Sequence, residues 1–106
     1  MSSKNNTAIG QLFSLLEYRF AMRVMWALKD GHPQTFRLLQ SSVTNITPNT
    51  LNNRIKELRA AGMIDHGGSG YFVTPLGADF LKRIGDLSAF ASKWAIALNN
   101  TSDDQT

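Results

Sequence analysis

Apolar residues recur at every fourth position through the first part of the chain. They are Leu12, Leu16, Phe20, Val24 and Leu28. This spacing places them on one face of a helix, and it predicts a helix over residues 8–29. Other apolar residues flank this face, so the helix has more apolar surface than one small core covers, and we expect burial on two sides. Gly31 and Pro33 end the helix, because glycine suits the position after a helix and proline cannot continue one.

A second, shorter helix and a tight turn follow. Residues 36–42 predict a helix that buries Leu39, and a short extended segment at residues 34–35 precedes it. In the turn at residues 44–46, Ile46 is the residue expected to point into the core. The small separation between this helix and the next one is typical of a helix-turn-helix.

The third helix has the clearest boundary signals in the chain. Thr47 is the predicted N-cap residue, since its hydroxyl accepts a hydrogen bond from a free backbone amide, and Pro48 suits the first helical position. Gly62 ends the helix. The residues predicted to face inward are Leu51, Ile55 and Leu58. The opposite face is polar, which is the feature that matters most for function.

A β-hairpin is predicted directly after the third helix. Residues 63–65 and 71–73 are the two strands, and the glycine-rich residues 66–70 form a five-residue loop between them. This hairpin is short and carries little charge.

The last helix begins with a repeat of the earlier cap. Thr74 and Pro75 predict its start in the same way as Thr47 and Pro48, and the helix is expected to reach residue 99. Gly85 is a predicted weak point or kink. One face carries Phe80, Ile84, Leu87, Ala91, Trp94 and Leu98.

Three helices, a hairpin and a final helix, in that order, indicate a winged helix-turn-helix, a mainly α (α+β) fold. We expect a three-helix core with a short β-hairpin wing and a long C-terminal dimerisation helix. Residues 1–106 are predicted to form a single winged-helix DNA-binding domain. Within it, residues 8–29 and 75–99 are the expected dimerisation helices, and residues 1–7 and 100–106 are expected to be frayed tails.

The apolar width of the first and last helices predicts a homodimer, because such faces need a partner. The predicted interface residues are Leu12, Leu16, Phe20, Leu87, Phe90, Trp94 and Leu98. Trp26, Phe90 and Trp94 leave two interpretations open. They line a pocket for an unknown small-molecule effector, or they belong to the dimer core, which the usual burial of aromatic residues favours.

The composition excludes several classes of protein. The sequence has no cysteine, so it can form no disulfide, thiolate metal site or thiol switch. The first residues are polar with no apolar stretch behind them, so no secretory signal is expected. The apolar run at residues 24–28 is far too short to span a membrane. We therefore expect a cytoplasmic protein without a membrane partner.

The net charge of +3 is modest, but its distribution is informative. Residues 31–60 contain four basic residues and one acidic residue, whereas residues 61–106 contain three basic and five acidic residues. The positive charge therefore surrounds the third helix, which suits a phosphate backbone. A solvated helix face remains the alternative on charge alone.

The outer face of the third helix is rich in asparagine. With the apolar residues inward, Asn49, Asn53 and Lys56 point outward, and Thr50 and Asn52 lie on the flanks. Asparagine is a poor helix former, so its repeated use favours a function. Asparagine pairs with adenine through two hydrogen bonds, and threonine can contact a thymine methyl group. An exposed polar helix without a function is the alternative.

The candidate DNA-contacting residues are Thr47, Asn49, Thr50, Asn52, Asn53, Arg54, Lys56, Arg37, His66 and Ser69. The asparagines and Lys56 are expected to approach bases. Arg54, Arg37 and the wing residues are expected to hold phosphates. For His66 and Ser69, a role as ordinary turn residues is the alternative.

With these residues identified, the chain resembles the HxlR-type branch of the MarR-like winged-helix transcriptional regulators. The similarity rests on the run from Leu51 to Leu58, on Gly62-Met63-Ile64, on residues 71–77, and on Trp94 in the last helix. The resemblance implies a homodimer joined through its first and last helices, bound to a near-palindromic operator on double-stranded DNA. The chain departs from the family in having no cysteine near its N-terminus and in having Asp65-His66 where the family wing carries an arginine.

No enzyme is expected. His32 and His66 have no partner at metal-binding spacing. No serine lies in a nucleophile elbow or has a His–Asp set, and the adjacent carboxylates Asp103-Asp104 belong to the tail. No metal or cofactor is therefore assigned. The prediction is a sequence-specific DNA-binding transcriptional regulator. A winged-helix module that binds another protein without sequence-specific DNA binding is the alternative, favoured by the small net charge and the neutral wing.

Overall fold

The computed structural model describes residues 7–105, with side chains up to residue 100. Its elements are α1 (Ala8–Leu16), α2 (Ala21–Ala27), α3 (Phe36–Ser42), α4 (Pro48–Ala60), β1 (Ile64–Gly67), β2 (Gly70–Val73), α5 (Pro75–Arg83) and α6 (Leu87–Gln105). The two strands are antiparallel. This order confirms the mainly helical winged-helix fold with a short hairpin and a bent C-terminal helical segment.

The continuous first helix predicted over residues 8–29 is wrong. The chain turns at residues 17–20, and Phe20 has a φ of 73°, in the left-handed region that interrupts an α-helix. The apolar stripe is thereby divided. Val24 and Leu28 are buried in the core, whereas α1 contains no buried residue. Neither glycine nor proline marks this break, so packing of α2 rather than local preference determines it.

The hydrophobic core lies among α2, α3, α4, β1 and α5. Its buried residues are Val24, Met25, Leu28, Leu39, Val43, Ile46, Leu51, Ile55, Leu58, Ile64 and Leu81. The inward positions predicted for α4 are confirmed, as is the inward position of Ile46 in the preceding turn. The burial of this stripe holds the polar face of α4 toward solvent.

The predicted caps are also confirmed. The Thr47 hydroxyl accepts a hydrogen bond from the Thr50 amide at 3.2 Å, and the Thr74 hydroxyl accepts one from the Gly77 amide at 3.0 Å. Each threonine is followed by proline at the first helical position. Gly62 ends α4 with a φ of 78°.

The wing is tighter than predicted. Its strands pair from Ile64 opposite Val73 to Gly67 opposite Gly70, so the turn contains two residues rather than five. The wing is fastened to the loop before α3, because Gln34 and Tyr71 exchange backbone hydrogen bonds of 2.9 and 2.8 Å. This bridge corresponds to the extended segment predicted at residues 34–35.

The C-terminal helix is divided, with a break at residues 84–86 that contains the predicted weak point, Gly85. Helix α6 ends at Gln105 rather than at 99, and every side chain described in it is exposed. Of the predicted frayed tails, residues 1–6 and 106 lie outside the described residues, while Thr7 caps α1 by accepting from the Gly10 amide at 3.0 Å. No helix in the described part of the chain is long and apolar enough to cross a membrane.

Candidate nucleic-acid interface

Helix α4 presents a continuous polar face. Asn49, Asn52, Asn53 and Lys56 are exposed along it, while Leu51, Ile55 and Leu58 hold the opposite face in the core. Thr50 is half-buried, and the hydroxyl of the exposed Thr47 is already occupied with the helix cap. The geometry therefore brings together the predicted base-contacting residues on one helix.

The Arg54 side chain is engaged in contacts within the protein, whereas the sequence prediction assigns it to a phosphate. Its side chain is 13% exposed, and its Nε lies 2.7 Å from Oε1 of Glu57. Its Nη2 donates to the other Glu57 carboxylate oxygen at 3.1 Å, and its Nη1 donates to the carbonyl oxygen of Arg19 at 3.1 Å. The guanidinium carbon also lies 4.8 Å from the centre of the Tyr18 ring. These contacts favour a structural role for Arg54 over phosphate binding.

The segment before and within α3 contributes less than its sequence indicates. Gln34 turns inward, donating from Nε2 to the Ala27 carbonyl at 2.7 Å and accepting from Ser42 at 3.1 Å. Thr35 caps α3 by accepting from the Leu38 amide. Arg37, the candidate DNA-contacting residue of this segment, is exposed on the first turn of α3.

The wing offers few groups to DNA. His66 lies in β1, exposed, with its ring centre 4.4 Å from that of Tyr71 across the strand pair. Ser69 is exposed in the two-residue turn. The one acidic residue of the wing, Asp65, pairs with Arg59 at 3.3 Å. The wing therefore braces the core through Gln34 and adds no free positive charge.

Ion pairing leaves the surface around α4 positive. Glu57 is paired with Arg54 and Asp65 with Arg59, so both acidic residues of this region are neutralised. Among the described side chains, Arg37 and Lys56 form no ion pair. An exposed, uncompensated cation beside a polar helix face suits a phosphate backbone.

Two basic residues near this surface are not among the predicted DNA-contacting residues. Arg19 lies in the turn between α1 and α2, and Arg23 lies in α2; both are exposed. In the continuous helix predicted over residues 8–29, both would lie on the polar side of a dimerisation helix. The break at Phe20 instead places Arg19 next to Arg54 of α4. No local sequence signal marks that break.

The predicted dimer residues divide between the two terminal helices. On α6, Leu87, Phe90, Trp94 and Leu98 are 44%, 60%, 56% and 49% exposed. On the N-terminal side, Leu12 and Leu16 are half-buried, and Phe20 packs against the core. Ile9 and Phe13, which were not predicted, are the strongly exposed large apolar residues of α1.

The three aromatic residues considered for an effector pocket do not form one pocket in the single chain. Trp26 lines a cleft of about 350 Å³ between α2, the end of α3 and the start of α6. Phe90 and Trp94 lie outside this cleft. Within the described residues, no three histidine, aspartate or glutamate side chains are grouped so that they could hold a metal ion.

Comparison with known proteins gives a match in structure. No family model and no curated protein matches the sequence. The quinone-bound structure of YodB from B. subtilis is 25% identical with a TM-score of 0.71, covering 80% of this chain and 96% of that chain. A possible HxlR family transcriptional factor from Thermoplasma volcanium is 22% identical with a TM-score of 0.74, covering 84% and 85%. The reduced form of the transcriptional regulator YodB has a TM-score of 0.68 at 22% identity, covering 82% and 92%.

Two of these neighbours are described as a transcriptional regulator and as a possible HxlR family transcriptional factor. Their TM-scores of 0.68 to 0.74 show that they share the fold described above. The resemblance inferred from the sequence is thus confirmed: this chain has the winged-helix fold of the HxlR-type transcriptional regulators.

Proposed function

We propose that this protein is a cytoplasmic, homodimeric, sequence-specific DNA-binding transcriptional regulator. One observation carries the proposal: α4 exposes Asn49, Asn52, Asn53 and Lys56 on a single face whose neighbouring acidic residues are both neutralised by ion pairs. A helix of this kind fits the major groove, which admits one α-helix and displays a distinct pattern for each base pair.

The roles of the side chains follow from their chemistry. Asparagine amides can pair with adenine through two hydrogen bonds, so Asn49, Asn52 and Asn53 are assigned to base recognition. Lys56 is an exposed cation on this face and is assigned to phosphate or guanine, and Arg37, exposed on α3, is assigned to phosphate. His66 and Ser69 at the wing are at most secondary contacts.

The exposed apolar faces of α1 and α6 support the homodimer. Helix α6 projects from the core with a stripe formed by Leu87, Phe90, Trp94 and Leu98, and α1 adds Ile9 and Phe13. Burying apolar surface contributes about 25 cal/mol of free energy per Å², so apolar faces of this kind are costly to leave in water. A second copy of the chain covers them with the same residues under twofold symmetry.

A twofold dimer predicts the form of the operator. Two copies of α4 enter successive major grooves on one side of the duplex, about 34 Å apart, which is one turn of DNA. The operator is therefore expected to be near-palindromic. The quinone is a ligand of YodB, and it does not identify a ligand of this chain. For this chain, the cleft beside Trp26 is the candidate place for a small-molecule effector, and without cysteine such binding would involve no thiol chemistry.

A protein–protein interaction module is the second candidate. The observation that favours it is the wing, whose single acidic residue is paired and which carries no lysine or arginine. A module of this kind would use the polar face of α4 to bind a partner protein, and its binding would not depend on DNA sequence.

Selection of binding sites from random double-stranded DNA tests the proposed function. We expect enrichment of a near-palindromic site and a binding constant that falls steeply with salt concentration. The Lys56→Ala variant tests the reading face, and it should bind the selected site more weakly than the wild-type protein. Failure of the wild-type protein to enrich any sequence, together with salt-independent binding, would contradict the proposal and favour the protein-binding module.

A further inference from the structure

We infer that the cleft between the α1–α2 turn and the α3–α4 turn is a second site for a DNA backbone phosphate, held by Arg19 and Arg23. This inference rests on the proposed DNA-binding function. It assigns a role to residues that lie outside both the reading helix and the wing, and it names the phosphodiester group as their ligand.

The cleft has the chemistry of an anion site. Its volume is about 570 Å³, and its lining residues are Arg19, Phe20, Arg23, Thr44 and Asn45. Two guanidinium groups, one hydroxyl and one side-chain amide can all donate hydrogen bonds to phosphate oxygens. No carboxylate is among these lining residues.

The two arginines are available to a ligand. Both are exposed, and within the described side chains neither forms an ion pair. The guanidinium carbon of Arg19 lies 4.9 Å from the centre of the Phe20 ring, which orients the group without neutralising it. Glu57, whose partner Arg54 contacts the Arg19 carbonyl, is already ion-paired.

The position of the cleft relative to α4 is held by two connections. Arg54 of α4 donates to the carbonyl oxygen of Arg19 at 3.1 Å, which fastens one wall to the middle of the reading helix. The other wall, Thr44 and Asn45, precedes the N-cap of α4 by a few residues, and Asn45 has a φ of 68° that turns the chain there. Phosphates line both edges of the major groove, so a cationic cleft beside a helix in that groove meets one of them.

The test compares two double variants that each remove two positive charges. Arg19→Ala/Arg23→Ala removes the cationic groups of the cleft but keeps the backbone carbonyl that Arg54 uses. Lys82→Ala/Arg83→Ala is the control, since these residues are exposed on α5, do not line the cleft, and include Arg83, which is paired with Asp79. Binding to the selected DNA is titrated at several salt concentrations, and circular dichroism confirms that both variants are folded.

Each phosphate contact contributes about 0.9 to the slope of log binding constant against log salt concentration. We expect the slope for Arg19→Ala/Arg23→Ala to become shallower by about one to two units, with unchanged sequence preference and an unchanged slope for the control. Arg19→Lys/Arg23→Lys should recover most of the wild-type slope. If the alanine variant does not fold, Arg19→Gln/Arg23→Gln provides the same comparison.

The outcomes separate this site from the proposed function. A wild-type slope in the folded cleft variant, while Lys56→Ala loses affinity, would overturn the phosphate site and leave the DNA-binding function standing. Absence of salt-dependent DNA binding by the wild-type protein would overturn both. The same residues could also take a free phosphate ion. Stabilisation of the wild type by inorganic phosphate at constant ionic strength, combined with an unchanged DNA slope in the variant, would assign the cleft to a free anion instead.

Discussion

The guanidinium of Arg54 donates to the backbone carbonyl of Arg19 at 3.1 Å, although the two residues are 35 positions apart in the sequence. Glu57 holds the same guanidinium from the next turn of α4. The contact joins the reading helix to the turn from which α1 departs. Because α1 belongs to the proposed dimer interface, the Arg54 contact links the orientation of α4 to that of α1.

Replacement of Arg54 by alanine should destabilise the fold. The change leaves the partly buried Glu57 carboxylate without its partner and removes the hydrogen bond to Arg19, so we expect the free energy of unfolding to fall by about 2 kcal/mol. Urea unfolding followed by circular dichroism, at one fixed protein concentration, measures this. Lys56→Ala is the control, since an exposed side chain without partners should change stability by less than about 0.5 kcal/mol. Equal stability of both variants would show that Arg54 has no structural role.

Replacement of Asn53 by alanine should relax sequence preference. If Asn53 pairs with a base, its loss removes about 1–3 kcal/mol of discrimination at one position of each half-site. Competition between the selected operator and variants at each position measures the preference. Arg37→Ala provides the contrast, because loss of a phosphate contact weakens binding to all sequences alike and makes the salt slope shallower. Uniform weakening by Asn53→Ala, with preference retained, would place Asn53 away from the bases.

A charge on the exposed stripe of α6 should break the dimer. Trp94 is 56% exposed in the single chain, so Trp94→Glu leaves the core intact but places a carboxylate in the proposed interface. We expect a monomer at micromolar concentration by analytical ultracentrifugation, with loss of operator binding. Ser92→Glu is the control, because residue 92 lies on the opposite side of the same helix. A dimeric Trp94→Glu protein would exclude this face from the interface.

A methyl group at Gly70 should loosen the wing. Gly70 has a φ of 126°, and a Cβ atom built there collides with the backbone carbonyl of Gln34. Gly70→Ala therefore strains the bridge that fastens the wing, and we expect a loss of about 2 kcal/mol in the free energy of unfolding. Gly68→Ala is the matched control, since nothing lies within 4 Å of the added atom. Thermal unfolding of both variants checks the difference, and similar midpoints would contradict the proposed bracing role.

The elements that could be predicted are those with short-range causes. Thr47 and Thr74 cap helices through bonds to amides three residues away, and Gly62 ends α4 through its own backbone freedom. The inward stripe of α4 follows from helical periodicity, and it alone places Asn49, Asn53 and Lys56 outward. These causes are readable from residues near one another in the sequence.

The rest depends on contacts between distant segments. The turn at Phe20 has no glycine or proline to announce it, and it arises because α2 packs into the core while α1 leaves it. The Arg19 carbonyl that accepts from Arg54 lies 35 residues away, and the bridge between Gln34 and Tyr71 joins the wing to the segment before α3. The sequence by itself therefore determined the fold order, the ends of α3 and α4, the start of α5 and the exposed face of α4. Only the tertiary structure decided that Arg54 faces inward and that Arg19 and Arg23 line a cleft beside α4, because long-range packing, which no local pattern encodes, sets which side chains remain free.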